Sequence, residues 1–273
     1  MVLSIAIAAK PAEKQKISFP PAAKISDNVY YLGHATENGK SIEGYAIVHY
    51  KKAPGKPGTT CGDGVCDAGE NVNKCPADCG GSDPTEPDTS SCYEALARGA
   101  VWKTVEPYVV NPANSQGIAE AYIAENLGVD ITKWEGAAGA DILGDGSTTS
   151  EVLEADMVST DGRNEVYFGS IDDSGAIAVT IIWGVFGGPP KGRMLIEWDM
   201  IFDEMDFSWS VSGEAGKMDF ENIATHELGH SAGLADLYDG LCGEQTMYGY
   251  AGYGETKKRT LESGDITGIQ SLY

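Results

Sequence analysis

The chain has 273 residues, 42% of them hydrophobic and 9% aromatic, enough for one sizeable packed domain and a smaller appendage. Its 41 acidic side chains against 19 basic ones give a formal charge of -22, which repels nucleic acid and anionic membrane surfaces and excludes both as partners. No stretch reaches the roughly 18 consecutive apolar residues of a membrane span, so no membrane insertion is expected. The acidic excess serves solvation or calcium binding, which leaves Ca2+ as a second cofactor to test.

Met1 to Ala9 is an apolar run ending in small residues, with Ala6-Ile7-Ala8 as an alanine-x-alanine cleavage pattern. It reads as the end of a secretory signal lacking its charged start, or as a buried first strand. Next, Asn28 to Gly33 and Gly44 to Tyr50 alternate apolar and polar residues on either side of Glu37-Asn38-Gly39-Lys40, which predicts a β-hairpin. The hairpin is either a removable propeptide or a strand pair added to the main sheet.

Ala53 to Gly58 and Gly80 to Asp88 have linker composition, and between them lie Cys61, Cys66, Cys75 and Cys79 among glycine, aspartate and asparagine. That segment has too little apolar surface to fold unaided, so two disulfides are expected, in any of three connectivities, or else a four-thiolate zinc site. Cys92 and Cys242 complete an even count, and a bridge between them is expected in an exported protein. The chain thus divides into residues 1–60, the hairpin region and candidate propeptide; 61–91, the cysteine-rich module and linker; and 92–273, a catalytic domain.

Within that domain, Ile118, Ala121, Tyr122 and Ala124 give Ala113 to Asn126 the spacing of an amphipathic helix, and Glu165 to Gly169 reads as a central strand. Asp219 is the expected N-cap of a second helix running through Ile223 to His230 and stopping near Gly233. Sheet plus helices gives an α+β class.

The second helix carries His226-Glu227-Leu228-Gly229-His230-Ser231-Ala232-Gly233-Leu234-Ala235-Asp236. Two histidines four residues apart share one helix face and can chelate one Zn2+, with Glu227 placed as the general base. A hydrolytic zinc needs a third protein ligand, and the chain has only four histidines, His34, His49, His226 and His230. Gly233 can adopt positive φ and turn the chain sharply, bringing Asp236 back as that ligand.

HExxHxxGxxD resembles the metzincin zinc motif in its snapalysin-type variant, and the surrounding chain from about Trp102 to Tyr273 resembles the matrixins. Residues 175–183 resemble that family's edge strand, 194–202 the strand after it, 246–250 the methionine turn and 261–273 the closing helix. The resemblance implies a twisted mixed sheet with an active-site helix, and places Met247 as a structural floor beneath the metal. It also sets Tyr248 or Tyr250 near the oxyanion or a specificity pocket. Two departures stand out: no histidine lies between Ala100 and Thr225 to hold a second, structural zinc, and the usual proline after the methionine turn is missing, with Gly249 nearby. The expectation is a secreted, monomeric zinc endopeptidase acting on protein or peptide substrates laid antiparallel along an exposed strand 176–183, latent before cleavage in the 80–91 linker. The competing reading is a non-catalytic adhesion or calcium-binding protein with a structural or vestigial zinc.

Overall fold

The computed structural model describes residues 16–52, 71 and 89–273. The run Met1 to Ala9, both linkers, and the module with Cys61, Cys66, Cys75 and Cys79 lie outside the described residues. Among the described residues there are eleven strands in chain order: β1 (Lys16–Ile17), β2 (Val29–Glu37), β3 (Lys40–Lys51), β4 (Tyr108–Asn111), β5 (Gly146–Thr148), β6 (Asn164–Ile171), β7 (Ala176–Val185), β8 (Met194–Asp203), β9 (Trp209–Ser210), β10 (Met218–Asp219) and β11 (Tyr250–Ala251). Three α-helices join them: α1 (Glu120–Ala138), α2 (Phe220–Ser231) and α3 (Ser263–Leu272).

Nine strands form one mixed sheet in the order β11-β3-β7-β8-β6-β4-β5, with β2 added to β3 and β1 to β6. Antiparallel pairing joins β2 to β3, β3 to β7 and β7 to β8, whereas β6 is parallel to both β8 and β4. Asn38 and Gly39 have φ of 47° and 77°, the pair of positive values that a two-residue type I′ turn needs between β2 and β3. The hairpin therefore does not stand apart: its second strand is inside the main sheet.

This overturns the exposed edge expected at 176–183. Strand β7 is flanked on both sides, by β3 and β8, and every residue from Ala176 to Gly184 is buried. The cause is visible in the residues: Ala176-Ile177-Ala178-Val179-Thr180-Ile181-Ile182-Trp183 is apolar throughout but for Thr180, the composition of a strand covered on both faces. Packing is two-sided. Trp134, Ile223, Leu228 and Ala178 belong to the core between sheet and helices, while Ile17, Ile42, Val48, Ile181 and Trp183 build a second core on the opposite face.

Helix α1 is displaced from its predicted range. The Asn114 side chain accepts from the backbone N–H of Gln116 and Ile118 and donates to the Ile118 carbonyl, winding 114–118 into a turn that delays the helix to Glu120. It then runs to Gly139, whose φ of 68° closes it. Helix α2 is capped by Asp219, whose carboxylate accepts from Asn222 N–H and is paired with Arg259. All of α2 except Glu221 is buried, and two tryptophans satisfy its carbonyls: Trp134 Nε1 donates to Thr225 O and Trp102 Nε1 to Ser231 O, both at 2.8 Å. Cys92 and Cys242 form a disulfide across 150 residues of sequence, tying the segment before β4 to the segment before Met247.

Candidate metal centre

His226 and His230 face the same side of α2, and Gly233, at φ 106°, turns the chain so that Asp236 returns to them. Asp236 Oδ1 lies 3.1 Å from His226 Nε2 and 3.6 Å from His230 Nε2. Each ring is fixed from behind: His226 Nδ1 donates to Thr246 O at 2.6 Å and His230 Nδ1 to Leu234 O at 2.8 Å. A carbonyl only accepts, so both Nδ1 atoms carry a proton, and Nε2 is the atom that each neutral ring offers to a metal. His226 Nε2, His230 Nε2 and Asp236 Oδ1 are buried without a hydrogen-bond partner, and they converge. Two imidazoles and one carboxylate whose facing atoms are buried without partners are a fitting donor set for Zn2+.

Glu227 stands beside this group, fully buried, with Oε2 accepting from Thr180 Oγ1 at 2.5 Å. Burial pushes its carboxyl up to about 7, near the pH at which a general base works best. Burial, and next the Lys258 ammonium, holds His226 at about 3, which keeps its imidazole neutral. Met247 is 2% exposed, and its turn is pinned by Asp265, whose carboxylate accepts from the N–H of Thr246 and Met247 while also closing the capping box of α3. Tyr248 and Tyr250 border a cavity of about 470 Å³ together with Lys24, Asp27, Tyr50, Lys51 and Lys52. Among the described residues neither phenol is hydrogen-bonded to Glu227 or to the three candidate ligands.

Sequence reasoning missed several neighbours. Thr180 was hidden as one polar residue in an apolar strand. Lys258 is fully buried with Nζ donating to Tyr248 O and 3.4 Å from His226 Nδ1, and burial lowers its ammonium to about 8. Asn28 donates to Asp236 Oδ2, and His49 packs its ring on His226 with centroids 3.9 Å apart. Only the scarcity of histidine could have singled out His49, because its role depends on strand pairing across distant sequence.

A second group of carboxylates, Asp156, Glu197 and Asp199, lies on the sheet away from α2. Backbone N–H groups of Asp161, Gly162 and Arg163 point at Glu197, and those of Asp156 and Glu165 at Asp199, so loop anchoring accounts for the group. Burial raises Glu197 to about 10 and Asp199 well above the carboxylate range.

Comparison with curated proteins returns no match. Residues 189–273 match the family model described as Matrixin. That stretch holds β8, α2, the three candidate ligands, Glu227, the methionine turn and α3, so the chain carries a matrixin-like, metzincin-type catalytic domain, that of a zinc metallopeptidase.

Proposed function

We propose that the chain is a secreted zinc endopeptidase in which His226, His230 and Asp236 hold the metal and Glu227 is the general base. One observation carries this reading: three buried lone pairs converge without partners directly beside a buried carboxylate. Zinc bound there would lower the pKa of a water towards about 7 and polarise the scissile carbonyl. The chain's own residues supply the rest. Thr180 holds Glu227 Oε2, and Oε1, which faces His49 Nδ1 at 3.1 Å, is the atom that would take the proton of the attacking water and deliver it to the leaving amine. The carbonyls of Thr246 and Leu234 fix both imidazoles in the tautomer that presents Nε2, so no ring has to reorient. Met247 closes the floor, and Tyr248 and Tyr250 are pocket walls. A purely structural zinc requires no adjacent buried carboxylate, which favours the enzyme over the adhesion reading. Residues 92–273 are the catalytic unit, with 1–60 as a propeptide and 61–91 as a separate module. The Cys92–Cys242 disulfide supports an oxidising compartment.

The test is hydrolysis of an unfolded protein by the zinc-loaded chain cut within 80–91, with Glu227→Ala and a chelator as controls. Activity lost in both controls is the expected result; silence of the cut chain with zinc bound would overturn the reading.

A further inference from the structure

The chain just beyond Asp236 is laced to the methionine turn. Leu237 donates its N–H to Met247 O at 2.9 Å and Gly249 donates its N–H to Leu237 O at 2.8 Å, which sets Leu237 parallel to Tyr248. Tyr238 follows, and its ring lies on Gly249: a β-carbon at 249 would stand 2.5, 2.6 and 2.8 Å from Cε1, Cζ and the hydroxyl oxygen of Tyr238. Gly249 lies outside the left-handed region, so its backbone does not call for glycine; the phenol does. A proline at this place would also lack the N–H that Leu237 O accepts.

The hydroxyl so placed is hydrogen-bonded to the Asp236 carboxylate. An ionised carboxylate only accepts, so the phenol donates. Among the described residues Tyr248 and Tyr250 make no such bond; they support Tyr238 instead. Tyr250 packs against the Tyr238 ring with centroids 5.2 Å apart and planes at 65°, and Tyr248 packs in turn against Tyr250 at 6.1 Å. Contacts with Gly249 and Tyr250 thus locate the ring, and its hydroxyl meets the carboxylate.

Asp236 needs an orienting partner more than the two histidines do. Each imidazole is a rigid ring held at Nδ1 by a backbone carbonyl, whereas a carboxylate can turn about its Cβ–Cγ bond and exchange its two oxygens. Oδ1 faces His226 Nε2 and His230 Nε2 and has no hydrogen-bond partner, while Oδ2 accepts from Asn28. Asn28 belongs to the segment read above as a propeptide; Tyr238 belongs to the catalytic unit and stays with it. Outer hydrogen bonds to metal-ligating carboxylates are worth about 10–100-fold in metal affinity.

We propose that Tyr238 is the positioning residue of the third metal ligand: its hydroxyl holds the Asp236 carboxylate so that Oδ1 stays turned towards His226 and His230, and position 249 carries no side chain so that the phenol can reach it. This rests on the zinc reading above. The aspartate ligand and Gly249 then belong together, because a carboxylate in place of a third imidazole requires a steadying donor, and that donor occupies the room that a proline ring would take. Tyr238 is 43% exposed, so its hydroxyl contributes little to the fold and its loss is read at the metal.

The test titrates Zn2+ into the metal-free, full-length chain in competition with a chromophoric chelator, and melts the metal-free protein alongside. Tyr238→Phe should weaken Zn2+ binding by about tenfold or more while the melting temperature of the metal-free chain stays within about 2 °C of the parent's. A role in packing alone would do the reverse, lowering the melting temperature with Zn2+ affinity unchanged, and would overturn the proposal; so would a variant equal to the parent in both. Gly249→Ala pushes the phenol off Asp236 from outside and should weaken Zn2+ binding by a similar factor in the parent, yet no further in the Tyr238→Phe background, where no bond remains to be lost. Equal losses in the two backgrounds would overturn the role of the hydroxyl. His226→Ala distinguishes the failures: if it abolishes Zn2+ binding while Tyr238→Phe binds like the parent, only the role of Tyr238 falls; if it keeps Zn2+ as tightly as the parent, the metal reading falls and this one with it.

Discussion

Helix α2 and strand β3 reach the same few atoms by opposite routes. α2 carries its chemistry in one uninterrupted string, where helical spacing alone puts two imidazoles and a carboxylate on neighbouring positions and Gly233 returns the fourth residue. β3 contributes His49 from a position 177 residues before His226, through a hairpin turn, a strand register and a bulge. Local periodicity suffices for the first, whereas only tertiary pairing brings the second into place. The two contributions can be separated experimentally.

The sharpest separation is Glu227→Ala in the chain cut within 80–91. It should lower turnover of an unfolded protein by about 10²–10⁴-fold with zinc content unchanged, measured by metal analysis beside initial rates. An effect below tenfold would remove Glu227 from the role of base. Gly44→Ala addresses the other partner. A β-carbon there would sit 2.6 Å from the Trp183 ring across the β3–β7 pair, and about 1 kcal/mol of overpacking should raise peptide hydrolysis by the uncut chain about fivefold. A rate no higher than the parent's, in a variant that still melts cooperatively, would contradict a propeptide role for residues 1–60.

Thr180→Val tunes the base without touching the metal. The hydroxyl stabilises the ionised Glu227, so its loss raises the carboxyl above its value of about 7. Glu227 acts deprotonated, and activity is lost as pH falls through its pKa. Thr180→Val should therefore move that acidic limb upwards relative to the parent in a pH–rate profile. Tyr250→Phe should have the smallest effect, under about twofold in kcat, because its hydroxyl has no bond to the site. A loss of tenfold or more would make it an oxyanion donor.

Much of the site was legible in the residues because metal-ligand spacing is a local property: His226, Glu227, His230 and Asp236 all converge, and Asp219 caps the helix that holds them. Two of the three described helices likewise follow from periodicity and capping, and the closing helix from the family resemblance, with α1 shifted because Asn114 makes a side-chain turn that hydrophobic spacing does not register. The edge assigned to 176–183 failed for a physical reason present in its composition. A run of Ala, Val, Ile and Trp with no alternation describes a strand covered on every side, and the hairpin supplies that cover. Lys258 was illegible because a lysine in a basic 257–259 stretch ordinarily reads as solvated surface, whereas here it is buried under Tyr248.

Gly229 sits between the base and the second histidine, and the space a β-carbon would take there is filled by the Met247 sulfur and, at 2.8 Å, by the Trp134 ring. Helix and methionine turn are thereby in van der Waals contact with nothing between them, and α2 cannot slide or rotate without moving the floor and the tryptophan together. Three layers of packing thus fix the ligand-bearing helix before any ion arrives, so little conformational freedom remains to be lost on uptake. A side chain at position 229, chemically remote from the reaction, would be felt as weaker metal affinity and slower reloading after chelation rather than as an unfolded protein.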